Sequence, residues 1–186
     1  MHREAIKKLQ EIVAVKKRHK CDASKVIIKE TDRNATLNHV VIEGVSGDVI
    51  AIELDRIGLG DKTFNDSYKA RKSCDAVIFC EYEGEAYILI LDVKSSYPSD
   101  EKYIAQLVGG DCFADYLVSV LERFENIKSN WIRRYFIFHG SAEKRTTLPN
   151  YDGSLPKNTK ADKADLIYIE NAGTINLRKL LHKPPL

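Results

Sequence analysis

Two aspartates and a lysine stand at the ends of the two most apolar runs in the chain. Asp75 opens the run AVIFC at 76–80, and Asp92, Val93 and Lys94 close the run AYILIL at 86–91. Between the runs lies EYEGE at 81–85, with Gly84 as its turn residue. Two β-branched, apolar runs around a short polar segment predict a β-hairpin. With the turn centred on Glu83 and Gly84, Tyr82 faces Glu85, Phe79 faces Ile88, Val77 faces Ile90 and Asp75 faces Asp92. Directly opposed like charges repel. Lys94, two residues beyond Asp92, projects from the same face. Two carboxylates gathered in this way call for a cation. A divalent metal suits them, because hard cations take carboxylate oxygens, and Lys94 alone compensates in part.

The hairpin that must position these groups is apolar on both faces. Val77, Phe79, Ile88 and Ile90 fall on one face. Ala76, Ile78, Cys80, Tyr87, Leu89 and Leu91 fall on the other. Strands apolar on both faces are central strands, expected to be covered on each side by helices. The carboxylates therefore end a buried sheet.

An aspartate opening one strand, followed by Asp-x-Lys ending the next, resembles the PD-(D/E)XK nuclease superfamily. Here the pattern is Asp75, then Asp92, Val93 and Lys94, with sixteen residues between the two aspartates. Cys74 stands where the family often has proline. The resemblance directly covers about residues 70 to 110 and implies a restriction-endonuclease-like fold, a three-layer α/β/α sandwich with a central mixed β-sheet. It also implies a metal-dependent nuclease. Asp75, Asp92 and the backbone carbonyl of Val93 would bind Mg²⁺, with Mn²⁺ as a substitute, and Lys94 would orient or help deprotonate the attacking water. The alternative for the same three residues is a structural salt bridge, which two aspartates and one lysine satisfy less well.

Some branches of the superfamily carry a glutamine in the helix after the lysine. Gln106 answers to it, although Gly110 stands where a tyrosine often follows. A helix is expected from Pro98 and Ser99 to about Glu125, with the stripe Tyr103, Gln106, Leu107, Gly110, Phe113, Leu117, Leu121 and Phe124. Gln106 is the one amide on that stripe, and a buried amide needs partners. They are either the hairpin's polar end or local backbone and water. Gly109 and Gly110 weaken the helix or permit close packing on the sheet.

The remaining elements follow from pattern. Residues 3–18 read as an amphipathic helix, with Glu4 and Glu11 on its solvated face. Residues 25–31, 38–44 and 48–54 read as strands, with Gly44 and Ser46 to Asp48 marking a hairpin between the last two. Asp48, Glu53 and Asp55 read as strand-end charges, with a further metal contact as the alternative. Residues 56–74 form a basic loop in which Lys69, Arg71 and Lys72 are candidates for contact with a nucleic-acid backbone. Residues 131–139 and 165–169 are further strands, 140–164 a long polar stretch, and 174–181 a closing helix. None of the five histidines has metal-ligand spacing, and His139 reads as structural.

Composition bounds the rest. The 186 residues suffice for a single domain spanning 1–186. The net charge of +2 is too small to argue for nucleic acid, so any basic surface is local. Cys21, Cys74, Cys80 and Cys112 lack C-x-x-C spacing, and the buried ones suggest reduced thiols in a cytoplasmic setting. No signal peptide or membrane-spanning run is expected. There is no room beside the core for a recognition domain, so a homodimer or partner subunit would supply specificity within a defence or repair system. A catalytically silent nuclease-like fold that binds nucleic acid or protein is the other expectation. No G-x-S-x-G, G-x-G-x-x-G or P-loop is present.

Overall fold

The computed structural model describes residues 2–22, 24–29, 35, 37–45, 47–54, 72–95, 102–140, 167–170 and 173–181. Its centre is the hairpin of β5 (Ala76–Tyr82) and β6 (Glu85–Lys94). The register is the predicted one: Tyr82 lies opposite Glu85, Phe79 opposite Ile88 and Val77 opposite Ile90. Glu83 and Gly84 take φ of 50° and 81°. Two left-handed residues make the turn whose twist matches that of the strands.

β6 is the middle strand of a five-stranded sheet ordered β4 (Val49–Glu53), β5, β6, β7 (Trp131–His139) and β8 (Ile167–Glu170). The β4, β5 and β6 strands run antiparallel, while β6, β7 and β8 run parallel. A parallel neighbour requires a crossover, and the helix α2 (Lys102–Phe124) lies in the connection from β6 to β7. The fold is therefore mixed α/β.

A second, four-stranded sheet is ordered β1 (Lys20–Asp22), β2 (Lys25–Lys29), β3 (His39–Glu43) and β9 (Thr174–Asn176). The hairpin expected between residues 38–44 and 48–54 is not formed. β3 pairs with β2 and β9, and β4 pairs with β5. Burial gives the reason: β3 alternates between buried and more exposed positions, whereas β4 is buried along four of its five residues. A strand apolar on both faces belongs between two layers. The closing helix expected over 174–181 is divided between β9 and the short α3 (Leu177–Leu180).

The two faces of the central sheet pack differently. Val77, Phe79, Ile88, Ile90 and Ile137 meet α1 (His2–Ile12) and α2 through Ile6, Leu9, Leu107 and Leu117. Ala76, Ile78, Leu89, Leu91 and Phe138 meet Val26, Ile28, Val40 and Ile42 of the second sheet, together with Leu177 and Leu180. Helices thus cover one face. Among the described residues the other face meets a sheet and one helical turn.

α1 is shorter than its apolar pattern predicts. Ala14 is extended and Val15–Lys17 form a 3-10 turn. The Arg18 guanidinium then folds back and donates to the carbonyls of Gln10 and Val13. Carbonyls at a helix end lack partners within the helix, and a basic side chain there satisfies them.

Tyr103–Phe124 is long and apolar enough by composition to cross a membrane. In the fold, its Leu107, Ala114, Leu117 and Leu121 lie in the core. Phe124, expected on that buried stripe, is 79% exposed. The chain turns off just beyond it through left-handed Asn126, and Ile127 packs against the core instead.

Candidate active site at the end of the central hairpin

Strand alternation carries the helix-covered face from Val77 back to Asp75, and from Ile88 and Ile90 onward to Asp92 and Lys94. Asp92 is fully buried, Asp75 is 7% exposed, and Lys94 is partly open to solvent. Lys94 Nζ lies 2.7 Å from Asp92 Oδ2. Asp75 Oδ2 accepts a hydrogen bond from the Val93 N–H at 2.5 Å. Its own carbonyl accepts the Leu54 N–H at 3.2 Å. The hairpin, β4 and the site's first carboxylate are thereby joined through the backbone.

The Val93 carbonyl falls on the same side. In an antiparallel pair one residue presents both its N–H and its C=O to the same neighbour. The Val93 N–H points to the Asp75 side. The next carbonyl, that of Lys94, points the other way and accepts the Gly140 N–H at 2.8 Å. The Val93 carbonyl therefore lies on the Asp75 side of β6, next in the chain to Asp92.

Cys74 reports on this convergence. Its thiol is fully buried, and its pKa is held well above the usual thiol value, chiefly by burial and then by the charges of Asp92 and Asp75. α2 approaches closely at this point. A Cβ on Gly110 would stand 2.3 Å from Cys74 Sγ and 3.1 Å from Ile90 Cγ2. One on Gly109 would stand 1.8 Å from the Lys72 carbonyl oxygen. The two glycines let the helix lie on the sheet.

Gln106 is one turn nearer the start of α2 than Gly110, a rise of about 6 Å. Asp92 is two residues, about 7 Å, beyond Ile90 along β6. A crossover helix runs back against its strands, so Gln106 lies about level with Asp92. It is half-buried, and among the described residues no hydrogen bond joins it to the carboxylates. Lys72, exposed, precedes Asp75 by three residues. Lys69, Arg71 and Asp55 lie outside the described residues. Glu11 is paired with Lys8 at 2.7 Å, and Asp48 with Lys7 at 3.8 Å.

Two histidines escape a reading by spacing. His139 is buried at the end of β7 and lies in parallel register with Lys94. His19, 9% exposed, places Nε2 3.3 Å from the Asp75 carbonyl oxygen. The signal for His139 was its place at the end of a central strand. His19 carried none, because it sits within a basic run.

The chain finds no match among models of protein families, among characterised proteins or among solved structures. The site thus rests on its own chemistry. Among the described residues, no three His, Cys, Asp or Glu side chains form a metal-binding group. The donors present are two carboxylates and a carbonyl, all oxygen. That set fits Mg²⁺, which keeps several waters and takes only one or two carboxylates beside substrate phosphates.

Proposed function

We propose that this chain is a Mg²⁺-dependent nuclease hydrolysing phosphodiester bonds in nucleic acid, with DNA the favoured substrate. The finer fold proposed with it is the restriction-endonuclease-like α/β/α sandwich. One observation carries the reading: a fully buried carboxylate, Asp92, held beside Asp75 and Lys94 at the end of a central hairpin. Burying a charge is costly, and replacing a buried ion pair by apolar residues is often neutral or stabilising. Two carboxylates and an ammonium at one strand end are better explained by use than by stability.

Asp75, Asp92 and the Val93 carbonyl would hold the metal. When bound it would polarise the phosphate and lower the pKa of a bound water. Lys94, anchored on Asp92 and partly open to solvent, would orient the attacking water and offset negative charge developing on the phosphoryl oxygens. Gln106, level with Asp92, would add an amide to the same oxygens. A partner subunit or second copy would supply target choice in a defence or repair setting in the cytoplasm.

The test is cleavage of labelled single- and double-stranded DNA and RNA in Mg²⁺, by wild type and by Asp75→Ala, Asp92→Ala and Lys94→Ala variants shown to be folded. Loss of cleavage in all three is the expected result. Retained cleavage in folded Asp92→Ala sinks the assignment. A second reading is a catalytically silent, nuclease-like binding subunit. It is favoured by the 2.7 Å ion pair, through which Lys94 neutralises Asp92 without a metal. Calorimetric titration of Mn²⁺ into wild type and Asp75→Ala separates the two.

A further inference from the structure

We infer that Lys16, Lys17 and Lys20 form a docking surface for the phosphate backbone of nucleic acid beside the candidate active site. The inference rests on nucleic acid being the substrate and adds a place where it is held. The chain reads KKRHK at 16–20, its densest basic run, within a protein whose net charge is only +2.

The fold divides this run by task. Arg18 is turned inward, donating to the carbonyls that end α1. His19 is buried, its N–H bonded to the Ala51 carbonyl at 2.9 Å and its ring against the Asp75 carbonyl. Lys16 and Lys20 are left exposed, with Lys17 half-buried between them. Among the described residues Lys16 and Lys20 make no ion pair. The nearest acid in sequence, Asp22, lies 3.8 Å from Lys25, and Glu53 on the adjoining strand is half-buried.

The location is set by two contacts. Arg18 bridges antiparallel to Ile52. The His19 ring lies against Asp75, the residue that opens β5 and bonds Val93. The basic run is therefore tied through His19 to the backbone carbonyl of Asp75, whose carboxylate is the first of the site. Phosphate contacts position a nucleic acid without reading its sequence. Cations on the flank of Asp75 that His19 touches would help lay a strand across the carboxylates.

The experiment is fluorescence anisotropy of a short labelled DNA duplex, with Ca²⁺ replacing Mg²⁺ to suppress cleavage, over a series of salt concentrations. The proteins are wild type, the triple variant Lys16→Ala/Lys17→Ala/Lys20→Ala, and the control Arg123→Ala/Lys128→Ala, at and just beyond the C-terminal end of α2. The triple variant is expected to lose about tenfold in affinity. Its dependence of log affinity on log salt should flatten by about 0.9 for each phosphate contact removed. The control should bind as wild type does, and all three should take up Mn²⁺ alike. Unchanged binding in the triple variant overturns the inference, as does an equal loss in the control. Binding of acidic phospholipid vesicles in place of DNA overturns it as well. Wild type that binds the duplex through these lysines yet never cleaves it would retain the docking surface and refute the nuclease reading. Cleavage untouched by the triple substitution would do the reverse.

Discussion

Asp75 and Val93 are joined side chain to backbone, Asp75 Oδ2 accepting the Val93 N–H at 2.5 Å. The bond extends the hairpin past its last paired residues, Ala76 and Leu91. It also fixes the carboxylate against the segment that supplies Asp92 and the Val93 carbonyl.

Asp75→Asn and Asp75→Ala should therefore differ. Asparagine still offers an oxygen to Val93 but carries no charge. It should keep most of the fold's stability and lose metal uptake and cleavage. Alanine loses the hydrogen bond too, worth about 1.5–3 kcal/mol when one partner is charged. Urea unfolding alongside Mn²⁺ calorimetry checks this. Equal stability of the two variants would mean the bond contributes nothing.

The close seat of α2 gives a second expectation. Gly109→Ala drives a methyl into the Lys72 carbonyl, which is backbone and cannot swing aside. Overpacking of this kind costs about 1–3 kcal/mol. Gly110→Ala meets a side chain, Cys74 Sγ, as its nearest neighbour. Cys74→Ala should relieve part of that cost, and a double-mutant cycle should return a favourable coupling between the two. An additive cycle would show that Ile90, not Cys74, sets the limit.

Much of this was legible in the sequence, because the hairpin's period and turn were both strong. Apolar runs of fixed length around Glu83 and Gly84 allow few registers, and the register carries Asp75, Asp92 and Lys94 with it. The partners of β3 and β4 were not legible. Gly44 and Gly47 mark a change of direction, with φ of 75° and 88°, but a turn signal does not say which sheet receives the next strand. The end of α1 was hidden for a similar reason: Arg18 closes it from outside the helix. His19 and His139 come near the site only through pairing with β4 and β6, which no local pattern encodes.

The buried thiols predict a falling stability in alkali. Burial raises the Cys80 pKa from 9.0 to about 12, and Cys74 is shifted in the same direction. A thiol whose pKa is higher folded than unfolded holds its proton more tightly in the native state. Its contribution is complete below about pH 9 and is lost as pH rises towards the folded value, by up to about 1.4 kcal/mol per pH unit for each group. Cys80→Ala should flatten the decline between pH 9 and 12. An unchanged slope in urea melts across that range would assign the decline to other groups.

Lys94→Met separates pairing from metal binding. The variant leaves a fully buried Asp92 without the ammonium 2.7 Å away. Removing one partner of a buried pair costs about 3–5 kcal/mol, and the partial exposure of Lys94 points to the lower end. A divalent cation bound by Asp75 and Asp92 would return the missing charge. Added Mg²⁺ should then stabilise Lys94→Met more than wild type, following the mass-action gain of about 2.7 kcal/mol at a hundredfold excess over the dissociation constant. Cleavage should stay low, because the ammonium that orients water is gone. Thermal melts across a Mg²⁺ series read the effect directly. A Lys94→Met protein stabilised by Mg²⁺ no more than an Asp75→Ala/Lys94→Met double variant would mean that the carboxylates hold no metal and that the lysine is only a structural counter-ion.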